Sequence, residues 1–202
     1  MNKIIIGLVG PIASGKGILS EYLSQQGFIV EKLSDRIREE TAKRGLEVNR
    51  KHLQDVGNDL RKVYGSQILA ELTLKKNSEN IYPICIDGVR NPGEVDFIKK
   101  NGGVVIGINA PKELRLVWYL ERARKRGEDG ASVESFNIAN DRDLGLGEAS
   151  NGQQVGECLK MSDYVIENIG TPEELIETLR EVMMISLHLD FEGRHMTSKE
   201  IY

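Results

Sequence analysis

The stretch Gly10–Lys16 reads GPIASGK and follows a short apolar run, Lys3–Val9, directly. The next segment, Gly17–Gln26, carries apolar side chains at helical spacing. A strand, a glycine-bounded loop, a lysine and a helix in this order are typical of a loop that binds phosphate. The backbone N–H groups of such a loop converge on a phosphate chain, and the dipole of the following helix adds to their field. The sequence therefore predicts a phosphate-binding loop at Gly10–Lys16.

The residues around this loop form the predicted nucleotide-binding set. They are Gly10, Ala13, Ser14, Gly15, Lys16, Gly17 and Ile18. We expect the Lys16 ammonium to lie against the β- and γ-phosphates. The motif usually continues with Ser or Thr, whose hydroxyl reaches Mg²⁺, but Gly17 and Ile18 both lack a hydroxyl. This departure leaves open whether the loop supports catalysis as well as binding.

The composition excludes several classes of protein. The 202 residues suit one domain, and 27 basic against 31 acidic residues argue against a wholly basic nucleic-acid-binding surface. No apolar run approaches the length that spans a membrane. The three histidines share no ligand spacing with Cys85 and Cys158, so we expect no zinc site. Two such cysteines favour a reducing, cytoplasmic setting over a disulfide framework.

Five apolar runs alternate with helical patterns. The predicted strands are Lys3–Val9, Phe28–Leu33, Tyr82–Asp87, Val104–Asn109 and Tyr164–Ile166. The main predicted helices are Gly17–Gln26, a helix capped by Ser34 or Asp35 and running to Lys43, Arg50–Tyr64, Ser66–Lys75, Pro92–Lys100, Pro111–Arg126, Val133–Arg142 and Pro172–Leu189. This alternation predicts an α/β fold, a five-stranded parallel sheet with helices on both faces.

The predicted organisation is one domain over residues 1–190 with two additions and a tail. Residues 34–80 contain helices and no convincing strand, so they form a helical insertion. Residues 127–154 are polar and glycine-rich, which is typical of a lid rather than of core. Residues 191–202 extend past the expected end of the fold as a tail or a fragment of a further domain.

Asp87 stands at the carboxyl end of an apolar strand, where ligands meet open parallel sheets. A carboxylate at that place can hold Mg²⁺ beside the phosphate-binding loop. The alternative is a helix-cap or turn aspartate, because Asp-Gly also marks turns. We favour the metal role, since this strand follows the loop unit in a chain of alternating strands and helices.

Arginines recur in the segments expected to border the site, namely Arg38, Arg90, Arg122, Arg126 and Arg142. Phosphoryl transfer needs such groups, because charge spreads over the equatorial oxygens and catalysis is mostly positioning and electrostatics. The planar, permanently charged fork of arginine suits this role. The alternative for each is a solvated arginine on the polar face of an amphipathic helix.

Four segments carry a resemblance to the nucleoside monophosphate kinase branch of the P-loop proteins. Ser34–Arg38, SDRIR, resembles that family's Gly-Asp-x-x-Arg segment, and Ile86–Arg90, IDGVR, resembles its Asp-Gly-x-Pro-Arg segment with Val89 in place of the proline. Asn168–Leu175, NIGTPEEL, is similar to the Gly-Thr turn beside the donor base. The segment Glu121–Gly127 is similar to the approach to the lid.

The chain also resembles archaeal adenylate-kinase-related proteins, dephospho-coenzyme A kinases and kinase-like domains fused to deoxycytidylate-deaminase-like domains. The last resemblance rests on Asn151–Tyr164. Within it, Gln153 and Gln154 either read a base edge by hydrogen bonding or are simply exposed loop residues.

The family resemblance implies the P-loop NTPase fold with ATP and Mg²⁺. It implies that Asp35, Arg38 and Arg90 bind the acceptor and that Gly170 lies beside the donor base. Catalytic roles are implied for Lys16, Asp87, Arg122, Arg126 and Arg142.

The expected reaction is ATP-dependent phosphoryl transfer to a nucleoside or deoxynucleoside monophosphate or a similar small phosphate ester. The alternatives are a dephospho-coenzyme A kinase and a nucleotide-binding regulatory module with little turnover. The expected partner is a small-molecule acceptor, without nucleic acid or membrane, in a chain that is a possible homodimer or is joined to a further domain.

Overall fold

The computed structural model describes residues 3–126 and 132–187. Over these residues the chain forms five strands, β1 to β5, which are Ile5–Val9, Ile29–Lys32, Ile84–Val89, Val104–Asn109 and Tyr164–Glu167. It also forms nine helices, α1 to α9, which are Lys16–Gln25, Leu33–Lys43, Arg50–Tyr64, Ile68–Lys76, Pro92–Lys100, Lys112–Arg126, Val133–Asp143, Val155–Met161 and Pro172–Leu187. Residues 127–131 of the expected lid, the Arg126 side chain and the tail at 191–202 lie outside the described part.

The five strands form one sheet in the order β2-β3-β1-β4-β5, and every pairing between neighbours is parallel. The strand β1 lies in the centre, with Gly7 opposite Ile86 of β3 and Val105 of β4. The phosphate-binding loop leaves the carboxyl end of this central strand. Because parallel strands end at one edge, the residues after β1, β3, β4 and β5 meet there. The predicted fold class is confirmed.

Alternate residues of the strands point to opposite faces of the sheet, and each face has its own core. On one face, β1 and β3 pack against α3, α5 and α8 through residues such as Ile84, Leu60 and Ile98. On the other face, Leu8 and Ile106 pack against α1 and α9. The two cores hold the sheet between layers of helices and fix its carboxyl edge as a rigid platform.

Three details differ from the sequence predictions. The strand β3 continues past Asp87 to Val89, because Val9 pairs with Val89 after a register shift and Gly88 adopts a φ of 86°. The helix α2 begins at Leu33, so Ser34 and Asp35 lie in its first turn and do not cap it.

The third difference lies in residues 132–154, predicted as too polar for core. Phe136 in this segment is fully buried. Its helix α7 packs against α6, where the Tyr119 and Phe136 rings lie 5.6 Å apart. The sequence around Phe136 is mostly polar because α7 buries only one face, so this contact could not be predicted from it.

Among residues 3–126 and 132–187, no helix is both long enough and apolar enough to cross a membrane.

Candidate nucleotide-binding site

The phosphate-binding loop is shaped by its small residues. Ala13 and Gly15 adopt positive φ angles of 61° and 106°. A Cβ on Gly10 would collide with the carbonyl oxygen of Ile108, and one on Gly15 would lie 2.5 Å from the Asn168 Nδ2. The loop therefore needs glycine at both of its ends, because strand β4 and Asn168 pack directly against its backbone.

The start of α1 is open to an anion. Gly15 occupies the N-cap without a side chain to cap the helix, and no acidic residue lies in the first turn. The first amides of a helix have no intrahelical acceptor, and the helix dipole makes this end positive. The Ser14 hydroxyl is buried and has no hydrogen-bond partner among the described residues. These donors fit the phosphates of a nucleotide.

Lys16 lies half-buried and turns its ammonium back onto the loop. Its Nζ donates to the carbonyl oxygens of Gly10 and Pro11, at 2.6 and 3.0 Å. Loss of hydration lowers the pKa of Lys16 from its ordinary value to about 8. The neighbouring charges that act on it next are those of Arg90, Asp143, Asp87 and Arg122, listed by decreasing effect. Lys16 thus stands at the centre of a charged cluster at the sheet edge.

Asp87 contributes a half-buried carboxylate to this cluster. Within the described parts of the chain, no group of three or more His, Cys, Asp or Glu side chains is placed to hold a metal ion. Mg²⁺ is commonly bound by one or two carboxylates together with the phosphates of a substrate. The site fits an ion held in that way.

The loop supplies no hydroxyl to such an ion. Gly17 is exposed, with nothing within 4 Å of the position its Cβ would take. Ile18 is half-buried and packs against the core beneath α1. A protein oxygen for the metal ion must therefore come from outside the loop, and the Asp87 carboxylate, whose charge acts on Lys16, is one candidate.

Arg90 follows β3 and is held from several sides. Its Nη1 donates to the Asp143 Oδ1 at 3.0 Å and to the Gln153 Oε1 at 2.8 Å. Its backbone N–H donates to the Glu94 Oε2 at 2.8 Å, and its carbonyl accepts from the Gln154 N–H at 2.7 Å. Gln153 is 8 % exposed and its Oε1 binds Arg90, so it is not the exposed loop residue that was one of the two alternatives.

Arg38 and Asp35 lie on the exposed side of α2. The Arg38 Nη1 donates to the Asp35 Oδ1 at 2.8 Å and to the Ser34 Oγ at 2.9 Å. These are its partners within the described chain, so the structure does not join Arg38 to Lys16. The buried arginine of this helix is Arg36, whose Nη2 lies 2.8 Å from the Glu39 Oε1.

Arg122 and Arg142, two of the arginines predicted to act together near the lid, have different surroundings in the structure. Arg122 acts electrostatically on Lys16, and its guanidinium carbon lies 5.8 Å from the centre of the Tyr119 ring. The Arg142 Nε lies 2.9 Å from the Glu148 Oε1, although the angle is not that of a hydrogen bond. Arg142 therefore contacts the loop before α8. The Arg126 side chain lies outside the described residues.

Gly170 lies beside the phosphate-binding loop on the β5 side. Asn168 donates from its Nδ2 to the Ser14 carbonyl at 3.0 Å. Thr171 and Glu174 cap α9 reciprocally, with N–H to side-chain oxygen distances of 2.7 and 3.2 Å. A depression of about 270 Å³ opens here, lined by Glu167, Asn168, Ile169, Gly170, Glu174, Leu175 and Thr178. Its place next to the loop suits the base of a nucleotide bound through its phosphates.

Sequence reasoning missed Arg115, which is 5 % exposed. Its Nη1 donates to the Ile12 carbonyl at 3.2 Å and to the Asn140 Oδ1 at 2.8 Å, and its Nε donates to the Ala110 carbonyl at 3.0 Å. It thereby ties the phosphate-binding loop to α7. An arginine between two leucines of an amphipathic helix gives no sequence signal of this burial.

Solved structures share this fold. TT1252 from Thermus thermophilus superposes with a TM-score of 0.58 at 22% identity, covering 92% of this chain and 98% of that one. The shikimate kinase from Acinetobacter baumannii, solved with shikimate, superposes with a TM-score of 0.52 at 16% identity, covering 91% and 94%. The chain therefore has the fold of P-loop kinases.

No protein-family model matches the sequence. Relatives do match it along their length, among them the UPF0200 proteins of Sulfurisphaera tokodaii, 33% identical over 89% of this chain and 95% of the relative, and of Methanosarcina mazei, 34% identical over 93% and 98%. The chain spans 61% of the length of another relative, the UPF0200/UPF0201 protein of Archaeoglobus fulgidus. Because the S. tokodaii and M. mazei proteins are covered almost completely at more than 30% identity, the chain belongs to the UPF0200 family.

Proposed function

We propose that this chain is an ATP- and Mg²⁺-dependent phosphotransferase whose acceptor is a nucleoside or deoxynucleoside monophosphate. The observation that carries the proposal is the charged cluster around Lys16. Asp87, Arg90 and Arg122 act on Lys16 from two other parts of the chain, next to the uncapped start of α1. Preorganised charge of this kind is what phosphoryl transfer requires.

Each group in the cluster has a distinct role in this proposal. The loop amides and Lys16 hold the donor phosphates, and Asp87 holds the metal ion. When bound, Mg²⁺ neutralises charge on the β- and γ-phosphates. Arg122 stabilises charge on the transferring group, Arg126 and Arg142 keep the catalytic role predicted from the sequence, and Gly170 borders the donor base.

Arg90 carries the preference for a phosphorylated acceptor. Its guanidinium lies at the carboxyl edge of the sheet, on the opposite side of β1 from Asn168 and the proposed base site. A planar fork binds a phosphate with two parallel hydrogen bonds. Arg38 also binds the acceptor phosphate after its ion pair with Asp35 breaks. That pair is exposed, so breaking it costs little free energy.

A coupled assay of ADP release tests the proposal. The acceptors are all ribo- and deoxynucleoside monophosphates, dephospho-coenzyme A, and shikimate as the compound bound by the A. baumannii neighbour. We expect ADP release that depends on one class of nucleoside monophosphate and is lost in Lys16→Met. ADP release that depends on dephospho-coenzyme A alone would show that the protein is a dephospho-coenzyme A kinase. Hydrolysis indifferent to every acceptor would contradict a kinase.

A nucleotide-binding regulatory module is the second candidate, and the missing hydroxyl at Gly17 and Ile18 favours it. Calorimetry that shows tight ATP binding without transfer, in the wild type and in Ile18→Thr alike, would select this reading. A gain of transfer activity in Ile18→Thr would instead indicate a kinase weakened by the loss of that hydroxyl.

A further inference from the structure

In the described part of the chain, the Arg90 side chain is anchored through one nitrogen, Nη1. Its Nη1 donates to both the Asp143 Oδ1 and the Gln153 Oε1, at 3.0 and 2.8 Å. A terminal guanidinium nitrogen carries two hydrogens, so these two acceptors use both of them. Within residues 3–126 and 132–187, the side chain makes no hydrogen bond through Nε or Nη2. With Nη1 occupied, the edge formed by Nε and Nη2 is the one left to bind a planar pair of oxygens with two hydrogen bonds.

Both anchors are buried and come from elements other than that of Arg90. The side chain of Asp143, at the end of α7, is 6 % exposed, and Gln153 precedes α8 and is 8 % exposed. The Arg90 side chain is 38 % exposed, so its outer part reaches solvent while its anchors do not. An arginine that is already held in one orientation loses less conformational entropy when the ligand binds.

The backbone of Arg90 is fixed as well. Glu94 accepts from the Arg90 and Asn91 N–H groups at 2.8 and 3.1 Å, and it pairs with the buried Arg61 at 2.8 Å. The Cβ position of Gly88 lies 4.0 Å from the Arg90 Nε, so the open edge borders the end of β3 beyond Asp87. The orientation of Arg90 is therefore set from both its backbone and its Nη1.

We propose that Asp143 and Gln153 are positioning residues that hold Arg90 by its Nη1 and present its Nε–Nη2 edge to a phosphate monoester. This inference rests on the proposed function, because it assigns the phosphate of the acceptor to Arg90. Asp143 does not compete with that ligand, since its carboxylate uses the nitrogen outside the presented edge. Its negative charge instead favours the position that Arg90 occupies.

The test follows the Nε–H resonance of Arg90 by NMR, assigned through its absence in Arg90→Lys, during titration with inorganic phosphate. We expect phosphate to shift the resonance in the wild type. Asp143→Asn removes the negative charge of one anchor and Gln153→Leu removes the other anchor, so each should weaken phosphate binding about tenfold. Gln153→Glu keeps an acceptor and should bind within about twofold of the wild type. Glu157→Gln, an exposed change on α8, is the matched control.

A second measurement uses the acceptor that the ADP-release assay identifies. The KM for that acceptor should rise about tenfold in Asp143→Asn and Gln153→Leu, while kcat and the KM for ATP change less than about twofold. An equal rise in the KM for ATP would place the donor phosphate on Arg90 and overturn the proposal.

The phosphate titration separates this inference from the proposed function. If no acceptor is turned over, the proposed function fails, and the titration still decides whether the anchors prepare Arg90 for an oxyanion. Folded variants that bind phosphate as tightly as the wild type would overturn the inference. Tighter binding in Asp143→Asn would also overturn it, because Asp143 would then be a competitor of the ligand.

Discussion

At the scale of single residues, Lys16 has a pKa closer to neutral than an ordinary lysine. Its pKa of about 8 lies below the ordinary lysine value of 10.5, because the ammonium loses hydration beside the loop. The group is charged below pH 8 and becomes neutral as the pH rises through 8. Between pH 8 and 10.5 the unfolded chain binds more protons at this residue than the folded chain does. This residue's contribution to the free energy of unfolding therefore increases with pH across that window.

This titration predicts a pH dependence of ATP binding. Since a neutral amine cannot pair with phosphate, the affinity should fall as pH rises above 8, by about tenfold per pH unit at the limit. Calorimetry between pH 7 and 9.5 measures it. Lys16→Arg is the control, because arginine stays charged throughout this range. An affinity that is flat with pH in the wild type would contradict the assignment of Lys16 to the phosphates.

Gly17 offers a second test at the residue scale. The open space around its Cβ position accepts a side chain without moving a neighbour. Gly17→Ser places a hydroxyl at the motif position that reaches Mg²⁺, so we expect kcat/KM for ATP to rise about tenfold, in line with the effect of other groups that support a bound metal. Gly17→Ala gives a larger gain in helix propensity than Gly17→Ser and carries no hydroxyl, so it is the control. Equal activity in the two variants would show that the hydroxyl is not what the loop lacks.

Helix α7 is the element that connects the phosphate-binding loop to Arg90. Asn140 accepts from Arg115, which contacts the loop, and Asp143 accepts from Arg90, three residues further on the same face. Phe136 lies on that face as well, with the Arg115 guanidinium carbon 5.7 Å from its ring centre. A displacement of α7 would therefore disturb the loop and Arg90 together.

Removal of Arg115 tests this connection. Arg115→Ala leaves Asn140 and the carbonyls of Ile12 and Ala110 without their donor, so we expect the free energy of unfolding to fall by about 3 kcal/mol. Urea denaturation measures the change. Lys112→Ala, an exposed change on the same helix, should cost less than about 0.5 kcal/mol. A loss in Arg115→Ala no larger than that of the control would show that Arg115 does not hold the elements together.

For the whole molecule, local patterns decide the fold. Apolar runs alternating with helical spacing predict the parallel sheet, and the glycines of Gly10–Lys16 predict the loop, because both signals act over short distances along the chain. The roles of Arg115 and Gln153 could not be predicted in this way. Their burial depends on α7 and β3, which are distant in sequence, and polar residues become core only when such partners satisfy them. The prediction that Ser34 or Asp35 caps α2 was wrong because α2 begins at Leu33, directly after β2 ends at Lys32.

The fate of the γ-phosphate tests the central claim most directly. With γ-labelled ATP, Mg²⁺ and the nucleoside monophosphate selected by the ADP-release assay, chromatography separates labelled acceptor from free phosphate. The account predicts label in a nucleoside diphosphate, formed by the wild type and lost in Lys16→Met. Label found only in free phosphate, with every acceptor offered, would contradict it.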